Sequence, residues 1–233
     1  STSGTSIYSV GLRMDNLAKI IAFGDISIYA NAATAGLNTA GGTHGVILYG
    51  SSQTIRSYGG NLTITGYANH AVGSDANWAS ISGGITLWND TDTLRAYGNI
   101  TLKGVSMQGI GIYLTVGSSA GGSVTSDTGN ITIDGLSNSA YGATYIRIPV
   151  VATLGSVSIS GAGNGAGIYQ DGHTGSVTAK ADVNMIGYSS GGGDGLYYSI
   201  GSVTSTNGNV TLSGYTSSTA TSDNAIYSNA RAV

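Results

Sequence analysis

Apolar and polar residues alternate in short stretches along this chain, and each stretch is closed off by glycine. The plainest phrase is Gly-Asn-apolar-Thr-apolar-x-Gly. It occurs as Gly60-Asn61-Leu62-Thr63-Ile64-Thr65-Gly66, and again from Gly98 to Gly104, Gly129 to Gly135 and Gly208 to Gly214. Looser copies run Gly24-Asp25-Ile26-Ser27-Ile28, Gly155-Ser156-Val157-Ser158-Ile159-Ser160-Gly161 and Asp182-Val183-Asn184-Met185-Ile186-Gly187. From Leu62 onward the phrase returns after about 38, 31, 26, 26 and 27 residues, a spacing that signals a solenoid repeat. Period-two alternation predicts a strand in every copy, with Ile100 and Leu102 facing in and Thr101 and Lys103 facing out.

Two further phrases fill each period. One is small-apolar-Tyr, as in Ser6-Ile7-Tyr8, Gly111-Ile112-Tyr113, Gly167-Ile168-Tyr169, Gly195-Leu196-Tyr197 and Ala225-Ile226-Tyr227. The other is Gly-Ser-Val-Thr, at Gly122, Gly175 and Gly201, with Thr54-Ile55-Arg56-Ser57 and Thr93-Leu94-Arg95-Ala96 as earlier variants. Residues 45–66 and 83–104 align almost residue for residue, Arg56 with Arg95 and Tyr58 with Tyr97. One period thus holds three short strands. None can bury a core alone, so successive periods must stack and pair in parallel, about 4.8 Å apart. The expected fold is all-β, a right-handed parallel β-helix of roughly eight coils and near 40 Å in length, its handedness following the preference of parallel crossovers.

In such a stack like residues form columns. Thr63, Thr101, Thr132, Ser158, Asn184 and Thr211 are expected to make an outward structural ladder whose side chains bond along the axis, and Tyr113, Tyr169, Tyr197 and Tyr227 an aromatic column available for surface contacts. Glycine beside every strand is read as the residue that tolerates positive φ at the corners, with Asn following it for the same reason. The whole chain, 1–233, is read as one solenoid segment. Within it residues 12–23, the most helix-compatible stretch, are expected to be irregular or strand.

Composition narrows the function. The 39 glycines and the single Pro149 suit a corner-rich β fold, and the absence of Cys excludes disulfides and thiolate chemistry. Lys and Arg number 8 and the acidic residues, all Asp, number 11, so the surface has to be built from Ser, Thr, Asn, Gly and Tyr. Scattered basic residues and a net charge of −3 leave no footprint for nucleic acid or anionic lipid. No apolar run reaches the length of a membrane span.

The iterated Gly-Asn-[Ile/Val/Leu]-Thr-[Ile/Leu]-x-Gly phrase, the Ser/Thr/Asn/Gly surface and the absence of Cys and Glu resemble the repeat shaft of filamentous-haemagglutinin-type exoproteins. That resemblance implies a bacterial, two-partner-secreted adhesin with a β-helical shaft, secreted or held at the cell surface. The family's secretion domain is not recognisable in this chain. Residues 7 and 226 fall at nearly the same point of the coil, so the expected partners are adjoining repeats or identical subunits stacked end to end, together with cell-surface glycans.

The candidate catalytic and metal constellations have structural explanations. Asn89-Asp90-Thr91-Asp92, Asp171-Gly172-His173-Thr174-Gly175 and Arg147-Ile148-Pro149 loosely resemble pieces of the polysaccharide-processing β-helix enzymes, but their order differs, a second paired-Asp element is missing, and Asp at a Gly-rich corner commonly caps a turn. Gly191-Gly192-Gly193-Asp194-Gly195-Leu196 is one copy of a calcium-roll-like phrase, read as a corner loop. His44, His70 and His173 lie far apart and are read as satisfied surface or corner residues. The sequons at Asn61, Asn89, Asn99, Asn130 and Asn209 follow from corner Asn and outward Thr. Thr-x-Thr within the main phrase is confined to Thr63-Ile64-Thr65, so the regular hydroxyl lattice of an ice-binding face is absent. The expectation is therefore a structural fibre without catalytic residues, cofactor or metal.

Overall fold

The computed structural model describes residues 9–33, 42–50, 52–69, 82–88, 91–115, 121–140, 142–171, 175–199, 201–217, 219 and 222–228. These residues form 22 strands and three wholly parallel sheets. The first sheet holds β1 (Ser9–Asp15), β4 (Thr43–Tyr49), β7 (Gly83–Leu87), β10 (Ile110–Leu114), β13 (Thr144–Ile146), β16 (Ile168–Gln170), β19 (Leu196–Tyr198) and β22 (Ile226–Ser228). The second is β2 (Lys19–Ala22), β5 (Thr54–Ser57), β8 (Thr93–Ala96), β11 (Ser123–Ser126), β14 (Val150–Ala152), β17 (Val177–Ala179) and β20 (Val203–Ser205). The third is β3 (Ile26–Ala33), β6 (Leu62–Asn69), β9 (Ile100–Ser106), β12 (Ile131–Ser137), β15 (Val157–Gly163), β18 (Val183–Ser189) and β21 (Val210–Thr216). The chain visits the sheets in strict rotation, which makes a right-handed parallel β-helix of seven complete coils and the first strand of an eighth. At about 4.8 Å per step, the eight strands of the first sheet span roughly 34 Å.

Alternation within each strand builds the core. The inward column of the second sheet reads Ile20, Ile55, Leu94, Val124, Val150, Val177, Val203. Facing it, the third sheet sets Ile26, Leu62, Ile100, Ile131, Val157, Val183, Val210. The second-sheet column shrinks from Ile and Leu to Val at the fourth coil and the third-sheet column at the fifth, where the first-sheet strands shorten to three residues. The shrinkage matches the fall of the repeat interval to about 26 residues, because a shorter lap encloses a smaller section and close packing requires smaller side chains to fill it. The stretch 12–23, the weakest candidate for regular structure, follows the same rule. Leu12 pairs in register with Val46, Met14 with Leu48, Ile20 with Ile55 and Ala22 with Ser57, so it forms the end of β1, a turn at Leu17 and the whole of β2.

Glycine has a different role from the one the sequence suggested. Among the described residues positive φ occurs at only four glycines, Gly50, Gly142, Gly193 and Gly201, and at Leu17 and Ser52. Most of the repeat glycines are instead sites of close backbone approach. In the third sheet Gly66, Gly104, Gly135, Gly161, Gly187 and Gly214 stand in one inward column. A Cβ on any of them would overlap a first-sheet carbonyl, that of Gly84, Gly111, Ala143, Gly167, Gly195 or Ala225 in turn. The first-sheet glycines 45, 84, 111, 167 and 195 meet the third-sheet backbone reciprocally. Two glycine columns thus pinch two sheets backbone to backbone on one side of the core.

The Gly-Asn pair is explained by the next lap. The Oδ1 of Asp25 accepts the backbone N–H of Asn61 (2.6 Å), Asn61 Oδ1 that of Asn99 (2.8 Å), Asn99 Oδ1 that of Asn130 (2.8 Å) and Asn130 Oδ1 that of Ser156 (2.8 Å). Asp182 does the same for Asn209 at 2.7 Å. Each preceding glycine leaves the space this oxygen occupies: a Cβ at Gly98, Gly129 or Gly155 would lie 2.6 Å from the Asn Oδ1 below it. The corner Asn is therefore an axial connector between coils, and none of these Asn residues has positive φ.

Two substitutions separate these roles. Gly104→Ala, which drives a methyl into the Gly111 carbonyl, is expected to cost about 3 kcal/mol or to prevent folding, whereas Gly24→Ala, with nothing within 4 Å, should shift stability by less than about 0.5 kcal/mol in denaturant titration. Asn99→Ala should cost about 1 kcal/mol by the same measurement, since the Asn130 N–H then loses its protein acceptor at an exposed corner.

Candidate functional site: the outer face of the first sheet

The outward column of the first sheet gathers most of the chain's chemistry. In register it reads Arg13, Ile47, Thr86, Tyr113, Tyr145, Tyr169, Tyr197, Tyr227. Strand alternation turns these side chains out because Ile112, Ile168 and Leu196 turn in. Trp88 caps the column at 5.9 Å from Tyr113, and Tyr113 meets Tyr145 edge-on at 5.1 Å. From Tyr145 onward the rings lie flat on one another, at 4.6 Å and 12° to Tyr169, 4.3 Å and 1° to Tyr197, and 4.9 Å and 7° to Tyr227.

Tyr113, Tyr169, Tyr197 and Tyr227 thus lie in one column, and the column contains a member that the repeat phrase missed. Tyr145 is preceded by Thr144 instead of an aliphatic residue. Thr144 nevertheless faces in, its hydroxyl donating to the Ser160 carbonyl at 2.8 Å, so the ring behind it keeps its place. The spacing of Tyr145 between Tyr113 and Tyr169 was the signal available in the sequence. Availability to a ligand differs from the expectation. Tyr113 is 4% exposed and packs with Ile110, Tyr145 and Trp88, so it offers no open surface. Further along, the faces between successive rings are covered by their neighbours, and along its side the column presents ring edges and phenolic oxygens.

At the centre of the column three polar groups converge. Asp171, at the corner after β16, accepts from Arg147 Nε, from Arg147 Nη2 at 2.6 Å and from the Tyr145 phenol at 3.2 Å. The guanidinium also lies 5.1 Å from the Tyr145 ring centre. Sequence reading had listed Arg147 and Asp171 in separate enzyme-like fragments; the fold joins them as an ion pair one coil apart. The hydrogen bonds it donates to Asp171 hold Arg147 protonated well beyond the usual range. Burial, followed by the Asp171 charge, pushes the Tyr145 phenol up; burial also raises Tyr113, and burial with the adjacent Tyr197 pushes Tyr169 up to about 12. The phenols of this site are hydrogen-bond donors near neutral pH, and the carboxylate is engaged by its cation.

The other singled-out residues lie elsewhere. Asp92 is buried three coils from Asp171, and its Oδ1 accepts the Gln53 N–H at 3.1 Å; Thr91 Oγ1 accepts that of Ser52 at 2.8 Å, supporting a corner at positive φ. Asp194 accepts from the Asn224 backbone and side chain at 2.6 and 3.1 Å, another axial connector. Thr63, Thr101, Thr132, Ser158, Asn184 and Thr211 occupy consecutive register positions on the third sheet, headed by Ser27. Their side chains do not bond one another; the axial bonds run through the neighbouring Asn corner, whose carboxamides reach the backbone of the next lap. Asn89, Asp90, His70, His173 and Ser6-Ile7-Tyr8 lie outside the described residues. Among the described residues no group of three His, Cys, Asp or Glu stands close enough to hold a metal.

His44 departs from the surface or corner position expected of it. It sits within β4, 3% exposed, with Nδ1 3.1 Å from Thr86 Oγ1. Burial, aided by Arg13, lowers its pKa to about 4.

No family model, no curated protein and no solved structure matches this chain. The parallel three-sheet solenoid rests on the strand pairing itself.

The buried neutral imidazole gives a pH test. Below its unfolded pKa of about 6.5 the unfolded chain takes up a proton that the folded chain refuses until about pH 4. The stability it contributes is therefore complete above that range and falls by about 3 kcal/mol as pH drops through it. Denaturation midpoints measured from about pH 7 down to about pH 4 should decline, and His44→Gln should flatten that decline.

Proposed function

We propose that this chain is the structural shaft of a secreted or cell-surface bacterial fibre of the filamentous-haemagglutinin type. The observation that carries this reading is the unbroken register of the columns through seven coils, with axial connectors repeated at the corners. A rod of this kind resists bending and shear because each lap is tied to the next by backbone ladders around the core. The repeat phrase and the composition support the family half of the reading, and the three-sheet parallel solenoid is the architecture which that resemblance implies.

Contacts with surfaces or glycans belong, on this reading, to the Ser/Thr/Asn side of the third sheet, where Ser27, Thr101, Thr132, Ser158 and Thr211 are exposed. The tyrosine column contributes its hydroxyl edge, because stacking hides the ring faces that would otherwise lie against a sugar. Adjoining repeats or further copies stacked end to end are its structural partners.

Immunogold electron microscopy of the producing cells, with antibody raised to this segment, tests the proposal. Label along thin rods outside the cell is the expected result; label confined to the cytoplasm, or on compact particles, overturns it. A glycan array probed with intact fibres checks the contact clause separately, and absence of binding removes that clause alone.

A further inference from the structure

The stacked tyrosines have a chemical consequence that is independent of any shaft role. Tyr169 and Tyr197 are parallel to within 1° and 4.3 Å apart; Tyr197 and Tyr227 are parallel to within 7° at 4.9 Å. The carbons ortho to the hydroxyls of neighbouring rings are therefore held side by side on successive coils. Strand pairing fixes the roots of these side chains, Tyr169 opposite Tyr197 and Tyr197 opposite Tyr227. Exposure rises along the column from 5% at Tyr145 to 36% at Tyr227, so the outer rings are reached by a soluble oxidant while Tyr145 is shielded and clamped by Arg147 and Asp171.

We infer that Tyr169, Tyr197 and Tyr227 form an oxidative cross-linking site at which hydrogen peroxide, acting through a haem peroxidase, joins rings of adjacent coils as dityrosine. Each of two phenols gives up one electron and one proton, and the phenoxyl radicals place spin on the ortho carbons. One carbon–carbon bond forms between those carbons. The ring hydrogens at the joined positions then leave as protons while the oxygens are reprotonated, restoring both aromatic rings. The pair loses two hydrogens in all, and one peroxide is reduced to two waters. The product is a covalent staple across laps otherwise held by non-covalent contacts, in a chain that has no cysteine to do the same.

Other tyrosines supply internal comparisons. Tyr188 and Tyr215 are register partners on the third sheet without ring stacking, and Tyr29 and Tyr67 meet tilted at 50° and 5.6 Å. The folded chain, dilute enough to suppress coupling between molecules, is treated with a haem peroxidase and hydrogen peroxide, digested and mapped by mass spectrometry. The expected products are linked peptides joining Tyr169 to Tyr197 and Tyr197 to Tyr227, each two hydrogens lighter than the sum of its parts, in a chain that still migrates as a monomer and unfolds at higher denaturant. Tyr197→Phe keeps the ring and should abolish both links. Tyr227→Phe, at the exposed end of the column, should abolish only the second, which keeps the test decisive if the first variant fails to fold. Coupling at Tyr188–Tyr215 or Tyr29–Tyr67 without coupling in the column, coupling only between molecules, or no dityrosine at all would overturn the inference.

Discussion

Parallel in-register stacking places each residue against its own counterpart one lap above and one lap below, and the rest of this structure follows from that constraint. A favourable residue is repeated favourably along the axis and an unfavourable one is repeated as a column of faults. Glycine at position 104 is tolerable because positions 66, 135, 161, 187 and 214 are glycine too, which lets the third sheet approach the first along its length. Asparagine at 99 connects laps because an asparagine or aspartate lies in the lap before it and a free backbone N–H in the lap after it.

The same constraint accounts for the scarcity of charge. Like charges one strand apart repel by about 3 kcal/mol at an effective dielectric near 20, so a charged column would be destabilised at every step. The described cations are dealt with individually. Arg95 pairs with Asp127 of the next coil at 2.8 Å, Arg147 pairs with Asp171, and Lys103 stands in register beside Asp134. Arg56, directly beneath Arg95, lies 4.1 Å over the Tyr58 ring instead. Uncharged hydroxyls and carboxamides carry no such penalty, and they supply the remaining surface.

Aromatic residues benefit from stacking in the opposite sense. Register that would set charges against one another sets flat rings at 4.3 to 4.9 Å, where offset stacking is favourable. The consequence for function is that the ring faces are consumed internally. On the proposed reading, contact chemistry falls to the hydroxyl edge and to the Ser/Thr side, and the row of closely set phenols becomes the cross-linking site inferred above.

Much of this was legible in the amino-acid order. Period-two alternation, a recurring phrase and its 26 to 38 residue interval are local properties, so the strands, their inward residues, the parallel solenoid and the Arg56–Arg95 alignment could be read directly. Tertiary structure decided the reasons behind the residues. Glycine was chosen for absent Cβ atoms facing another sheet, and corner asparagine for the backbone of the next lap; the glycine's partner lies 6 to 18 residues on and the asparagine's 26 to 38, and neither leaves a local mark. The same holds for Tyr145 joining the column behind an inward Thr144, for His44 buried against Thr86, and for Arg147 meeting Asp171. Alternation tells which way a side chain points, whereas what it meets there depends on where the following lap returns.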